Sequence, residues 1–186
     1  MGKKLQGLRT GIFPKPVIMV SYLDGQGKPN IVTLAGVGVV CGDPPKFGLA
    51  IRPSRYSNPG ITNAGECVLN IPDVDHLWAA DVCGNTSGRD TDKFAAAKLT
   101  MAKAEKVKAP LIAECPVNIE CVLEHKLHLG SHDLFIVQAV AIHIDEDRLD
   151  ERGRWDFTKL QPMGVCEQEY RTVGQAIGVN GFSKNK

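Results

Sequence analysis

The chain has 186 residues, enough for one domain with a real core. With 43% hydrophobic and 23% charged residues and a formal net charge of +1, it has the make-up of an ordinary globular protein, with no basic field for nucleic acid and no acidic tail. No apolar run approaches a membrane span, and the charged opening "MGKKLQGLRTGIFPKP" lacks the apolar heart of a secretion signal, so a cytoplasmic protein with no membrane partner is expected.

In chain order, "PVIMVSYL" (residues 16–23) reads as a strand, and "DGQGKPN" as the loop of a hairpin. "IVTLAGVGVVC" (31–41) reads as a single return strand whose glycines mark a bend or a close approach by another backbone or a ligand. "GDPPK" is a second turn and "FGLAIR" (47–52) a third strand. "RPSRYSNPGI" follows, with Arg52, Ser54, Arg55, Tyr56 and Ser57 directly before Asn58-Pro59. Asn58 suits an N-cap and Pro59 a first helical turn, so a helix is expected over 59–64, stopped by Gly65. Free N–H groups and the positive dipole end of that helix, beside arginines and serines, suit a dianion such as a phosphate; a solvated charged loop is the other reading.

"ECVLNIP" is a fourth strand. "DVDHLWAADVCGN" and "TDKFAAAKLTMAKAEKV" have helical spacing, with the polar "TSGRD" between them. "CPVNIECVLEHKLHL" and "DLFIVQAVAIHIDE" alternate with period two and are joined by the tight "GSH". One face should carry Val117, Ile119, Cys121 and Leu123, and the facing strand Leu134, Ile136, Val140, Ile142 and Ile144. A mainly β domain with inserted helices, an antiparallel barrel, fits best, with a polar tail over 174–186.

Several motifs are excluded. In "AGVGVVCG", Cys41 stands where the dinucleotide fingerprint needs its third glycine, and no βαβ pattern surrounds it. His125, His128 and His132 with Cys121 match no zinc spacing, so no metal is expected. The six cysteines, at 41, 67, 83, 115, 121 and 166, contain no CxxC and mostly sit in apolar runs, which suits reduced, buried thiols. His132, at the hairpin tip, is open to reading as a ligand contact or a turn residue; Lys93 in "DTDKF" and Asn30 are by default a solvated lysine and a turn residue.

Together the segments "PVIMVSYLDGQGKPNIVTLAGV", "GDPPKFGLAIRPSRYSNPGI", "GECVLNIP", Asp92-Lys93-Phe94 and Gly130-Ser131-His132 resemble, in order and spacing, the flavin reductase-like family, which includes flavoredoxins and flavin or ferric reductases. The resemblance covers about residues 14–170 of a single domain spanning 1–186. It implies an FMN-binding split barrel of six antiparallel strands, Greek-key type, forming a homodimer. It implies that the FMN phosphate meets Arg55, Ser57, Ser54 and Arg52, with Tyr56 in the same segment. The isoalloxazine would lie against Thr33, Leu34, Ala35, Gly36 and Val37. Asn30, Lys93 and His132 would be cofactor contacts, the last two at the pyrimidine edge. The chain departs from the family pattern at Ser57, where relatives often carry Thr, at Ala35 in place of a hydroxyl, and at Gly36 in place of an aromatic in some members. The implied activity is transfer of electrons from NAD(P)H through FMN to a flavin, ferric iron or a protein. The alternative is a flavoredoxin-like carrier that receives electrons from a redox protein. No catalytic residue is assigned, because the cofactor carries the redox chemistry.

Overall fold

The run at 16–23 is apolar at nearly every position because its strand is covered on both faces. In the structure, a computed structural model that describes residues 2–184, it forms β2 (Ile18–Leu23), preceded by the short β1 (Lys15–Pro16). Ile18, Val20 and Tyr22 join the main core with Leu49, Ile51, Leu69 and Phe135. Val17 and Met19 point the other way, into a second core with Ala79, Ala80, Cys83 and Phe94.

The stretch expected as one bent return strand is two strands, β3 (Pro29–Leu34) and β4 (Val37–Gly42), separated by Ala35 and Gly36. β4 turns back into β5 (Pro45–Ile51). In the main sheet the order is β3-β2-β6-β9-β10-β5-β4, so β3 and β4 stand at opposite edges. Two residues can join opposite edges only if the sheet curls until those edges meet. The chain passes between them at Ala35-Gly36, where the Gly36 carbonyl accepts from the Ala50 N–H of β5 at 2.7 Å and a Cβ would press on the Ala50 Cβ at 3.0 Å. The sheet has seven strands rather than the six expected, because the kink at Ala35-Gly36 divides one, and its ladder stays open between β3 and β4.

α1 (Ser57–Ala64) leads to β6 (Glu66–Ile71), with Gly65 in the left-handed region at the helix end, as its position indicated. The mid-chain helices are α2 (Leu77–Asn85) and α3 (Lys93–Ala96). The helical reading of "TDKFAAAKLTMAKAEKV" holds only for α3. Lys98 takes a positive φ of 54°, and the N–H groups of Glu105, Lys106 and Val107 turn to the buried Glu120 carboxylate at 2.8, 2.6 and 3.0 Å. A buried carboxylate that needs donors outweighs alanine propensity here. β7 (Met101–Ala102) and β8 (Leu111–Ile112) pair within this segment.

β9 (Val117–His128) and β10 (Asp133–Ile144) form the long hairpin. Val117, Ile119 and Cys121 are in the main core with Leu123 against it, as the alternation indicated. On β10 the expected face is wrong. The core takes Phe135 and Val137, which leaves Leu134 and Ile136 on the other side, and a register shift between Ala139 and Ala141 then brings Ile144 back against the core. A bulge inverts the alternation, so one period-two pattern cannot run through it. α4 (Phe157–Leu160), β11 (Met163–Cys166) and β12 (Glu169–Thr172) follow, and β1, β11 and β12 make a small second sheet. All six cysteines are free.

Candidate functional site

Where the sheet edges meet, the outer surface is built from small residues. Thr33, Leu34, Ala35, Gly36 and Val37 run along one side of a groove of about 990 Å³, with Gly48, Ala50 and Leu134 beside them. Arg52, Arg55 and His132 stand at one part of its wall, and the N-terminal segment from Arg9 to Ile12 borders another. Small side chains and an open backbone suit a flat aromatic ligand, whose polar edge can be met by main-chain groups.

A second pocket, of about 130 Å³, adjoins this groove and shares Val32 and Arg55 with it. Its lining includes Ser54, Tyr56, Ser57, Ser87, Arg89 and Lys93, and no acidic side chain. Ser57 is 3% exposed, and its Oγ is buried with no hydrogen-bond partner. A buried, unpaired hydroxyl is costly, and this one lies at the first turn of α1, where free N–H groups also gather. Lys93 is 5% exposed and donates from Nζ to the Cys83 carbonyl at 2.7 Å. Burial lowers the Lys93 pKa to about 8; Cys83 opposes it, and Arg55 adds a smaller push in the same direction as burial. The pocket is therefore a cationic, hydroxyl-lined cup with no acidic side chain in its lining.

Tertiary contacts set the start of α1. The helix begins at Ser57 with Tyr56 as its cap residue, so Asn58 is not the N-cap the sequence indicated. Its side chain is committed elsewhere. Asn58 Nδ2 donates to the Ile51 carbonyl at 3.3 Å and to Asp133 Oδ2 at 3.0 Å, and Asn58 Oδ1 accepts from Lys126 Nζ at 2.7 Å. His128 first, then Asn58 and Lys126, draw the Asp133 pKa down to about 2. This network ties the first turn of α1 to β9 and β10, which aims Ser57 and Arg55 at the pocket.

The structure brings most of the expected site residues together. Thr33, Leu34, Ala35, Gly36, Val37, Arg52, Arg55 and His132 line the groove; Ser54, Tyr56, Ser57 and Lys93 line the pocket with Arg55. Lys93 and His132, expected together at one edge of a ring, are in different cavities. Asn30 lines neither: it is buried, its Oδ1 accepts from the Ile31 N–H at 2.8 Å, and it packs where a Cβ on Gly88 would collide. Sequence reading missed Ser87 and Arg89, because "TSGRD" shows only a polar linker and not the cavity it closes. It also missed the N-terminal border, whose residues carry no periodic signal.

Residues 9–174 match the model of the flavin reductase like domain. This protein belongs to the flavin reductase-like family. An uncharacterized protein of Archaeoglobus fulgidus is 34% identical to the flavin reductase-like chain over 142 residues, covering 76% of the chain and 79% of that relative. Among solved structures, flavoredoxin of Desulfovibrio vulgaris (Miyazaki F) superimposes with a TM-score of 0.92 at 33% identity, over 100% of both chains. Flavoredoxin from Methanosarcina acetivorans does so with a TM-score of 0.88 at 27% identity, over 98% of this chain and 97% of its own. The fold is the one these flavin reductase-like proteins share.

Proposed function

We propose that this protein binds FMN, with the ring in the groove and the phosphate in the small pocket, and acts as an oxidoreductase that carries electrons from NAD(P)H to an acceptor: a flavin, ferric iron or a protein. The observation that carries this reading is the buried, unpartnered Ser57 Oγ in a pocket with Arg55, Arg89 and Lys93, opening beside a groove of small residues. A phosphate at one end and a planar ring at the other suit those two cavities. Arg55, Ser57 and Lys93 would hold the phosphate by charge-assisted hydrogen bonds. Residues 33–37 would orient the ring, and His132 would stand at the groove wall. When bound, FMN supplies the two-electron chemistry between a nicotinamide and an acceptor. Titration with FMN and riboflavin, followed by anaerobic addition of NADH or NADPH, tests the reading; the absence of any flavin binding would overturn it.

A second reading is a flavoredoxin-like electron carrier that a redox protein reduces. Its support is the TM-score of 0.92 at 33% identity to a protein named flavoredoxin. Failure of both nicotinamides to bleach FMN-loaded protein favours it over the first.

The outer face of the sheet supports a homodimer. This face borders the ring groove: Val40 and Leu134 line the groove, Leu127 pairs with Leu134, and Val40 and Leu127 are about half exposed, so a second copy would close over the ring as well as over the edge strand. An apolar face at the edge strand β4 needs covering, and a two-fold copy can supply it. A cytoplasmic location agrees with the six free thiols.

A further inference from the structure

The loop between α2 and α3 reaches the pocket through a chain of contacts that the sequence did not suggest. Gly84 approaches Thr33, with a Cβ there only 3.4 Å from the Thr33 Cβ, and Gly88 is pressed against Asn30 so that no side chain fits. Gly84, near the end of α2, and Gly88, in the loop, thus both lie over β3, and Arg89 follows beside the pocket. The Arg89 guanidinium lies over the Tyr56 ring, 5.7 Å from its centroid, and the Tyr56 hydroxyl donates to Asp24 Oδ2 at 3.0 Å. Arg89 is exposed, whereas Ser57 and Lys93 are buried, so Arg89 stands at the outer rim and the other two at the floor.

We infer that Arg89, held on Tyr56 at this rim, is a specificity-determining residue that makes the pocket select a terminal monophosphate over a diphosphate ester. The inference rests on the flavin reading of the site and deepens it. A terminal phosphate offers free oxygens in every direction away from its single ester bond. The floor cations and hydroxyl take some of them, and a rim guanidinium takes those that face outward. In FAD that outward position is an oxygen bridging to a second phosphate, a poorer acceptor for the Arg89 N–H donors, and the chain would have to leave through the space Arg89 occupies. The pocket's volume of about 130 Å³ suits a phosphate-sized group and is well under the roughly 300 Å³ at which drug-sized ligands are held. Cation–π stacking fixes the guanidinium in advance, which lowers the entropy lost on binding.

The test is a set of dissociation constants for FMN, FAD and riboflavin with wild type, Arg89→Ala, Arg89→Lys and Tyr56→Leu. Wild type is expected to bind FMN at least about tenfold more tightly than FAD. Arg89→Ala should weaken FMN about tenfold, leave riboflavin unchanged and bring the FMN-to-FAD ratio near one; one charge-assisted hydrogen bond is worth about this much. Tyr56→Leu should move the ratio in the same direction, and Arg89→Lys should recover only part of it, because an ammonium lacks the planar fork that stacks. Arg89 is exposed, so unchanged melting curves should show that the variants are folded. If Arg89→Ala leaves the FMN-to-FAD ratio unchanged while wild type binds FMN, the role of Arg89 is wrong and the flavin reading stands. If wild type binds none of the three flavins, both fail together.

Discussion

The ammonium of Lys93 donates to the carbonyl of Cys83 at 2.7 Å, across the loop between α2 and α3. This single contact holds a cation against the floor of the small pocket, where burial lowers its pKa to about 8. A group with a depressed lysine pKa loses its proton in the folded protein before it does in the unfolded chain. Between about 8 and the ordinary lysine value the unfolded chain holds more protons, so the stability of the flavin-free protein should rise with pH across that window.

On the proposed FMN reading, phosphate binding would need the charged form of Lys93. FMN affinity should therefore fall as pH climbs through about 8, and binding there should take up a proton. Lys93→Met should remove both effects and weaken FMN about tenfold to a hundredfold near neutral pH, with little change for riboflavin. Calorimetry in buffers of different ionisation enthalpy reads the proton directly. A flat pH profile in wild type would place the phosphate away from Lys93.

Arg55 stands where the groove and the pocket join, and Ser57 has the one hydroxyl there that is buried and unpaired. Each of Arg55→Ala and Ser57→Ala should weaken FMN while sparing riboflavin. The arginine change should cost roughly 1.5–3 kcal/mol, about tenfold or more in affinity. Because its hydroxyl is already unpaired in the free protein, Ser57→Ala should leave thermal stability unchanged or slightly higher. A melting temperature that drops sharply for Ser57→Ala would show that the hydroxyl has a structural partner instead.

Glu120 is fully buried and accepts from the backbone of Glu105, Lys106 and Val107, with His143 Nε2 at 2.6 Å. Burial opposes its charge, but these hydrogen bonds, with that of Glu105 the largest, win and hold its pKa below the ordinary glutamate value. Its stabilising contribution is therefore complete above the unfolded pKa and is lost as pH falls through the lowered folded value. Glu120→Gln keeps the shape and loses the charge. It should destabilise by about 1.5–3 kcal/mol and lower the melting temperature by several degrees, without changing the phosphate dependence of flavin binding. Equal stability at neutral pH would refute this account of the 103–108 segment.

Leu127 lies opposite Leu134 on the outer face and is half exposed. If that face is the dimer contact, Leu127→Glu should convert a dimer into a monomer at micromolar concentration while circular dichroism stays unchanged. Light scattering on wild type and variant decides it, and a monomeric wild type would remove the homodimer altogether.

Most strand positions, the position of α1 and the crowding of cationic and hydroxyl side chains at 52–57 before it were legible in the sequence, because each rests on local chemistry: apolar periodicity, glycine and proline punctuation, and hydroxyl and guanidinium groups gathered at a helix start. Gly65 could be read as a helix stop for the same reason. What the sequence could not show were outcomes of competition between distant groups. Asn58 has the chemistry of an N-cap, yet Asp133 and Lys126, brought near only by folding, take its side chain. The alanine-rich segment after α3 has helical propensity, yet a buried carboxylate on β9 claims its N–H groups. One β-bulge on β10 inverts a face, and a kink at Ala35-Gly36 sends one apparent strand to both edges of the sheet. Arg89 lines the pocket only because Gly88 lets its loop settle against Asn30 on β3. Local propensities are worth fractions of a kcal/mol per residue, and a buried charge or an unpaired polar group is worth several times that. The tertiary structure therefore decided every place where the two conflicted.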